Sequence, residues 1–318
     1  MTHRFDTELE SIAASFETID LRDVALARKV DAAAVAQVTI RDFRSLDADA
    51  IEIEEVEILD SASTKTIRLR VYRPIRQVAT SQGGLIFIHG GAFCVGDLET
   101  DHLRCHFYAQ HAGVIVINAD YSLAPERPFP CGYNDCAFVV EWVFANSDKL
   151  GIDPLRVGIG GESAGAALAA AVALSMKEEA QKLACQLLLF PVLDHRMATM
   201  SFRLSHSTPA WDSAQTALMW QLYLAKMPNN ESVPSSASPA VADDLSGLPP
   251  TLMMTAGADP LRDEGIHYAV RLMGAGVQVD LHNYSGGFHV FDLAAPSAKI
   301  SRRALDEQIE FIAAHLTR

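Results

Sequence analysis

Val157-Gly158-Ile159-Gly160-Gly161-Glu162-Ser163-Ala164-Gly165-Ala166-Ala167-Leu168 reads as a short buried strand that turns abruptly into an alanine-rich helix. Gly161 and Gly165 permit a strained, closely packed turn that lifts Ser163 above the edge of a sheet. The backbone N–H of Ala164, at the helix start, faces any negative charge that develops beside that serine. A strand that feeds directly into a helix belongs in a parallel sheet, where each strand returns through a crossover helix.

Comparable apolar runs occur on both sides of this stretch, at 85–88, 114–117, 187–190 and 252–255, most of them separated by helix-length segments. Strands buried on both faces of a parallel sheet read this way, so the repeated βα units predict a doubly wound sheet. Residues 277–281 supply a last strand and 298–316 a closing amphipathic helix. Ahead of them, Ile51, Ile53, Val56 and Ile58, then Ile67, Leu69 and Val71, alternate with polar residues around a turn at 60–63, which predicts an antiparallel hairpin. Together these give a mostly parallel eight-stranded sheet flanked by helices. The spacing at 7–43 predicts two amphipathic helices, the aromatic-rich stretch 200–227 a helical insertion, and 229–246 a Ser/Pro/Ala loop.

Charge narrows the partners. The 318 residues carry 26 Lys and Arg against 40 Asp and Glu, a net −14 with no basic cluster, so neither nucleic acid nor an anionic membrane surface is expected as a partner. The first 30 residues are too densely charged for an apolar signal core, which predicts a soluble, cytoplasmic chain. The uncharged, mostly apolar stretch 163–176 falls short of the roughly 18 residues that span a bilayer. Five scattered cysteines with no C-x-x-C pair point to reduced thiols, and no group of residues has metal-ligand spacing.

Three further elements accompany Ser163. His89-Gly90-Gly91-Ala92-Phe93 follows the strand at 85–88, and the glycines let backbone N–H groups approach a carbonyl oxygen. With Ala164, Gly90 and Gly91 form a candidate oxyanion hole, each donor worth about 3 kcal/mol to a transition state. His89 is read as orienting this loop. Asp259 stands directly after the strand at 252–255, and His289 follows the last strand behind Gly286 and Gly287. The order serine, acid, histidine supplies a nucleophile, an orienting carboxylate and a general base at successive βα junctions. The remaining histidines lack such a setting. Ser163, His289 and Asp259 are therefore the candidate catalytic residues, for acyl transfer.

These motifs resemble the bacterial hormone-sensitive-lipase-like esterases of the α/β-hydrolase superfamily, from the strand before His89 through the C-terminal helix. Besides the motifs at 89–93 and 161–165, the family's Tyr-x-Leu-Ala-Pro-Glu appears as Tyr121 to Glu126, its Asp-Pro-Leu-x-Asp as Asp259 to Asp263, and its Gly-Phe-His as Gly287 to His289. The resemblance implies the α/β-hydrolase fold, a helical cap from residues 1–45 and an inserted cap segment at 197–227, with the catalytic domain in 46–196 and 228–318. It also implies hydrolysis of short- to medium-chain carboxylic esters, no cofactor, and frequent assembly as a homodimer. Ala92, Glu162 and Ala166 depart from the family's usual Gly, Asp and Gly, and none removes a catalytic group. Asp97, Tyr121 and Glu126 match the family and are read as structural supports.

Phe202, Trp211, Met219 and Trp220, with Tyr223, give the insertion an apolar face that should close a pocket around a small-molecule ester and exclude long acyl chains. Asp194, after the strand at 187–190, competes for the role of acid. The Asp-Pro-Leu-x-Asp setting favours Asp259 and leaves Asp194 a turn or helix-capping role. An amidase, lactonase or peptidase on the same machinery is the alternative. A non-catalytic binding protein is another, but the family's binding members, the plant gibberellin receptors, lack the histidine that is present here as His289.

Overall fold

A computed structural model describes residues 4–16, 19–60, 65–75, 81–228 and 231–317. Eight strands form one sheet in the order β1-β2-β4-β3-β5-β6-β7-β8. They are β1 (Ile51–Asp60), β2 (Lys65–Pro74), β3 (Gln82–Ile88), β4 (Ile115–Ala119), β5 (Ile152–Glu162), β6 (Cys185–Leu189), β7 (Thr251–Ala258) and β8 (Val279–Phe288). β1 and β2 form the expected antiparallel hairpin and β2 runs antiparallel to β4, while all later pairings are parallel. Of the hairpin turn expected at 60–63, the part beyond Asp60 lies outside the described residues, as do residues 17–18 of the N-terminal segment and 229–230 of the loop at 229–246.

Apolar residues alternate between the two faces of β3. Ile86 and Ile88 join a core with α4 (Cys131–Ala145), α6 (Ala164–Met176) and α9 (Arg262–Gly274). Leu85 and Phe87 join a second core with α3 (His102–Ala112) and α11 (Lys299–Leu316). Burial on both sides explains why the central strands lack the polar alternation of β1, and each enclosed Leu, Ile or Phe stabilises the sheet by about 1.5–3 kcal/mol. α6 lies against the sheet with Ala164 to Ala173 all buried, a fit that small side chains permit.

Several elements differ in extent from the sequence reading. The N-terminal stretch yields α1 (Glu10–Ser15), a 3-10 turn at Leu21–Asp23 and α2 (Val24–Val35), shorter than the periodicity at 7–43 suggests. β8 begins at Val279 and continues to Phe288, well beyond 281. Asn283, Ser285, Gly286 and Gly287 break its apolar pattern, which an edge strand tolerates because one side faces solvent. The region 200–227 is helical in two pieces, α7 (Met200–Leu204) and α8 (Ser213–Tyr223). The N-terminal turn meets α8 through the Leu21 N–H, which donates to Gln215 Oε1 at 2.9 Å. Asp6 N–H donates to the Gly286 carbonyl at 3.0 Å, and Phe5 and Phe16 pack edge-on against Phe288. The N-terminal segment thus lies over the end of β8, beside His289. The short helices α5 (Ser147–Leu150) and α10 (Phe291–Ala294) complete the chain.

Candidate active site

Ser163 occupies the turn between β5 and α6 with φ +54° and ψ −115°, a conformation that costs a non-glycine residue about 1–3 kcal/mol. Its neighbours hold it there: the Ser163 N–H donates to the Leu189 carbonyl at 2.8 Å, and its own carbonyl accepts from Val192 and Ala167. A Cβ at Gly165 would stand 2.0 Å from the Ile88 carbonyl oxygen, and one at Gly161 would stand 2.5 Å from the Gly165 carbonyl oxygen. Both glycines are therefore required by close backbone packing, and Gly165 docks the elbow on the segment that leads into His89.

His289 Nδ1 lies 2.7 Å from Asp259 Oδ2, and His289 Nε2 lies 3.0 Å from Ser163 Oγ. A carboxylate only accepts, so Nδ1 carries the proton and Nε2 presents a lone pair to the serine hydroxyl. The second Asp259 oxygen accepts from the Leu261 N–H at 2.9 Å, fixing the carboxylate plane. All three side chains are buried. Asp194 is elsewhere engaged: it accepts from the Arg196 backbone and guanidinium in a local turn, and Thr199, not Asp194, caps α7.

The loop after β3 reaches over the elbow. Gly91 has φ +112°, and a Cβ there would stand 2.2 Å from the Val95 carbonyl oxygen. Ala92 and Phe93 also adopt positive φ, so Ala92 holds a left-handed conformation that glycine would adopt at lower cost. Among the described residues, neither the Gly91 nor the Ala164 N–H has a hydrogen-bond partner, whereas the Gly90 N–H leans toward Asp101 Oδ2 at 3.3 Å. His89 is fully buried, stacks on Tyr121 and hydrogen-bonds through Nδ1 to the Gly90 carbonyl at 2.7 Å. Burial keeps its pKa below the usual histidine value. Tyr121 donates to the His89 carbonyl at 3.2 Å, and Glu126 pairs with Arg28 of α2.

Of the apolar residues expected around a substrate, Trp211 stands nearest the imidazole, its ring 6.3 Å from that of His289. Trp220 and Tyr223 pack on Phe93 of the glycine-rich loop. Met219 is wholly enclosed in the core, and Phe202 is half-buried. Phe190, at the end of β6, was not singled out in the sequence, yet its ring lies 6.0 Å from His289. An aromatic closing a buried strand reads as core, and no local signal distinguishes it.

A second omission is charged. Arg104 is fully buried and contacts Asp101, Glu162 and Asp292. In sequence Glu162, beside the nucleophile, reads as a hydrogen-bonding support rather than a proton donor, whereas Asp101, Arg104 and Asp292 read as surface residues, with only the i,i+3 spacing of Asp101 and Arg104 hinting at a pair. Among the described residues no group of three or more His, Cys, Asp or Glu is placed to hold a metal, and no helix is long and apolar enough to cross a membrane.

Comparison with known proteins gives a consistent picture. The model of a family described as alpha/beta hydrolase fold matches residues 85–293. A carboxylesterase of Mycobacterium tuberculosis is 35% identical over 73% of this chain and 74% of its own. An arylacetamide deacetylase of Oryctolagus cuniculus is 31% identical over 70% of this chain and 72% of its own. Among solved structures, a bacterial heroin esterase superposes with a TM-score of 0.92 at 34% identity, covering 99% of this chain and 98% of its own.

Proposed function

The chain belongs to the α/β-hydrolase fold family, among its hormone-sensitive-lipase-like esterases, and we propose that it hydrolyses short- to medium-chain carboxylic esters through a covalent acyl-enzyme on Ser163. The observation that carries this reading is the chain Asp259–His289–Ser163, at 2.7 Å and 3.0 Å, together with the Gly91 and Ala164 N–H groups, which have no hydrogen-bond partner among the described residues.

In this mechanism Ser163 Oγ attacks the ester carbonyl while His289 Nε2 takes its proton. The oxyanion is stabilised by the Gly91 and Ala164 N–H groups, with Gly90 as a third donor that must turn from Asp101. Asp259 holds the imidazole in the Nδ1–H tautomer. The imidazolium returns its proton to the leaving alcohol, and water, deprotonated in turn by His289, hydrolyses the acyl-enzyme. Trp211 closes one wall of the acyl site and sets the upper chain length.

The test is hydrolysis of p-nitrophenyl acetate through hexanoate, with and without EDTA, together with mass spectrometry after a p-nitrophenyl phosphonate. Support consists of EDTA-insensitive turnover, one phosphonyl adduct on Ser163, and no activity in Ser163→Ala. Turnover that persists in Ser163→Ala, or that EDTA abolishes and zinc restores, overturns the reading. Amide cleavage is a second reading, favoured by the identity to an arylacetamide deacetylase. A larger kcat/KM for an acetanilide than for the matching phenyl ester would replace the first reading with it.

A further inference from the structure

We infer that Arg104 is a positioning residue that ties together the three segments bearing the oxyanion donors, the nucleophile and the base. This rests on the assignment of Ser163 and His289 given above.

Arg104 lies in α3, away from the reacting atoms, yet each face of its guanidinium meets a different part of the site. Nε donates to Asp101 Oδ1 at 3.0 Å, and the other Asp101 oxygen accepts from the Gly90 N–H of the oxyanion loop. Nη2 donates to Glu162 Oε2, one residue before Ser163. Nη1 donates to Asp292 Oδ2 at 2.9 Å, three residues after His289, and to Gln308 Oε1 of α11 at 3.0 Å. Gln308 Nε2 returns a bond to Asp292 at 2.9 Å, and Tyr108 OH donates to Gln308 Oε1. Glu162 apart, which is nearly so, these charged groups are wholly enclosed.

A planar fork with five N–H donors can satisfy three carboxylates from one point, whereas a lysine ammonium on a flexible stem cannot reproduce that geometry. Burial pushes the Asp101 and Glu162 carboxyls up, and for Glu162 the neighbouring Asp101 adds to the rise. With one cation among three acids, the relative placement of the segments depends on where that cation sits. A shift of the guanidinium is transmitted to the Gly90 N–H, to the residue preceding the nucleophile and to the helix that follows the base.

Arg104→Lys keeps the charge and loses the fork. Active sites are counted by phosphonate burst, so that misfolded protein does not enter kcat. The expected result is a fall in kcat per titrated site of about tenfold or more, because misplacement near 1 Å is felt at this level, with KM for p-nitrophenyl butyrate within about twofold. A variant with lowered Tm but kcat per site within about twofold of the parent overturns the inference and leaves Arg104 a purely structural group. Should Arg104→Lys fail to fold, Glu162→Gln, Asp292→Asn and the double variant decide. Each single change should lower kcat per site, and the double should be no worse than the poorer single, since either alone releases the fork. Additive effects, or none, overturn the inference. Ser163→Ala is run in parallel: turnover near the parental rate there overturns the triad assignment itself, whereas a Ser163→Ala reduced by orders of magnitude beside an unimpaired Arg104→Lys overturns only the role of Arg104.

Discussion

Ala258 pairs with Phe288 across β7 and β8, two residues out of the register that holds from Thr251 opposite Val279 to Ala256 opposite Tyr284. Continuing the earlier register would put Asp259 opposite Gly287. The bulge instead carries Asp259 and His289 out of the sheet side by side, which is what closes the 2.7 Å contact between them.

Gly257 sits inside this irregularity, and a Cβ there would stand 2.3 Å from the Ser285 carbonyl oxygen. Backbone cannot move aside as a flexible side chain can. Gly257→Ala should therefore lower kcat by about a hundredfold through misplacement of the acid and base, alongside a lower Tm. Kinetics below the melting temperature and a thermal scan check it; parental kcat would show that the bulge does not set the alignment.

The two aspartates can be ranked by substitution. Asp259→Asn should keep the fold but favour the wrong imidazole tautomer, lowering kcat by about 10³ to 10⁴. Asp194→Asn breaks a local pair with Arg196 and should leave kcat within about threefold, with its effect mainly on stability. Measured at matched folded fraction, the reverse ranking would move the acid to Asp194.

Chain-length preference tests the proposed acyl-site wall at Trp211. The parent should turn over p-nitrophenyl butyrate faster than the laurate or palmitate, and Trp211→Ala should raise the laurate-to-butyrate ratio of kcat/KM. Truncating a buried Trp costs about 3–5 kcal/mol of stability, so the ratio, rather than either rate, is the quantity to compare. A parent that prefers palmitate, or an unchanged ratio, contradicts the assignment.

Asp31 of α2 should destabilise the fold at neutral pH. Burial, with Asp97 and Asp101 nearby, raises its pKa to about 6 from an ordinary 3.8. The folded state then binds more protons than the unfolded between these values, so stability falls as pH rises through that window. Asp31→Asn should match the parent Tm near pH 4 and exceed it at pH 7.5, by up to about 3 kcal/mol in stability. Thermal scans across that range check this; a difference independent of pH excludes Asp31 as the cause.

Sequence alone determined the parts of this protein that depend on local chemistry. Gly161, Ser163 and Gly165 are legible because one tight strand-to-helix turn requires them in that order, and the paired glycines after His89 because backbone must approach backbone. The two-sided burial of the central strands is legible from their unbroken apolar runs. Tertiary structure decided what depends on partners distant in the chain. The length of β8 and the bulge at Gly257 follow from pairing with β7, to which the polar residues of an edge strand give no local clue. The Arg104 cluster joins residues 101, 104, 162, 292 and 308, and all but Glu162, which stands in the nucleophile motif, read as ordinary surface charges or amides until the fold encloses them. Enclosure changes their physics: in water such groups contribute little, whereas inside the protein each must find a partner, and the partners available are set by how four separate segments meet.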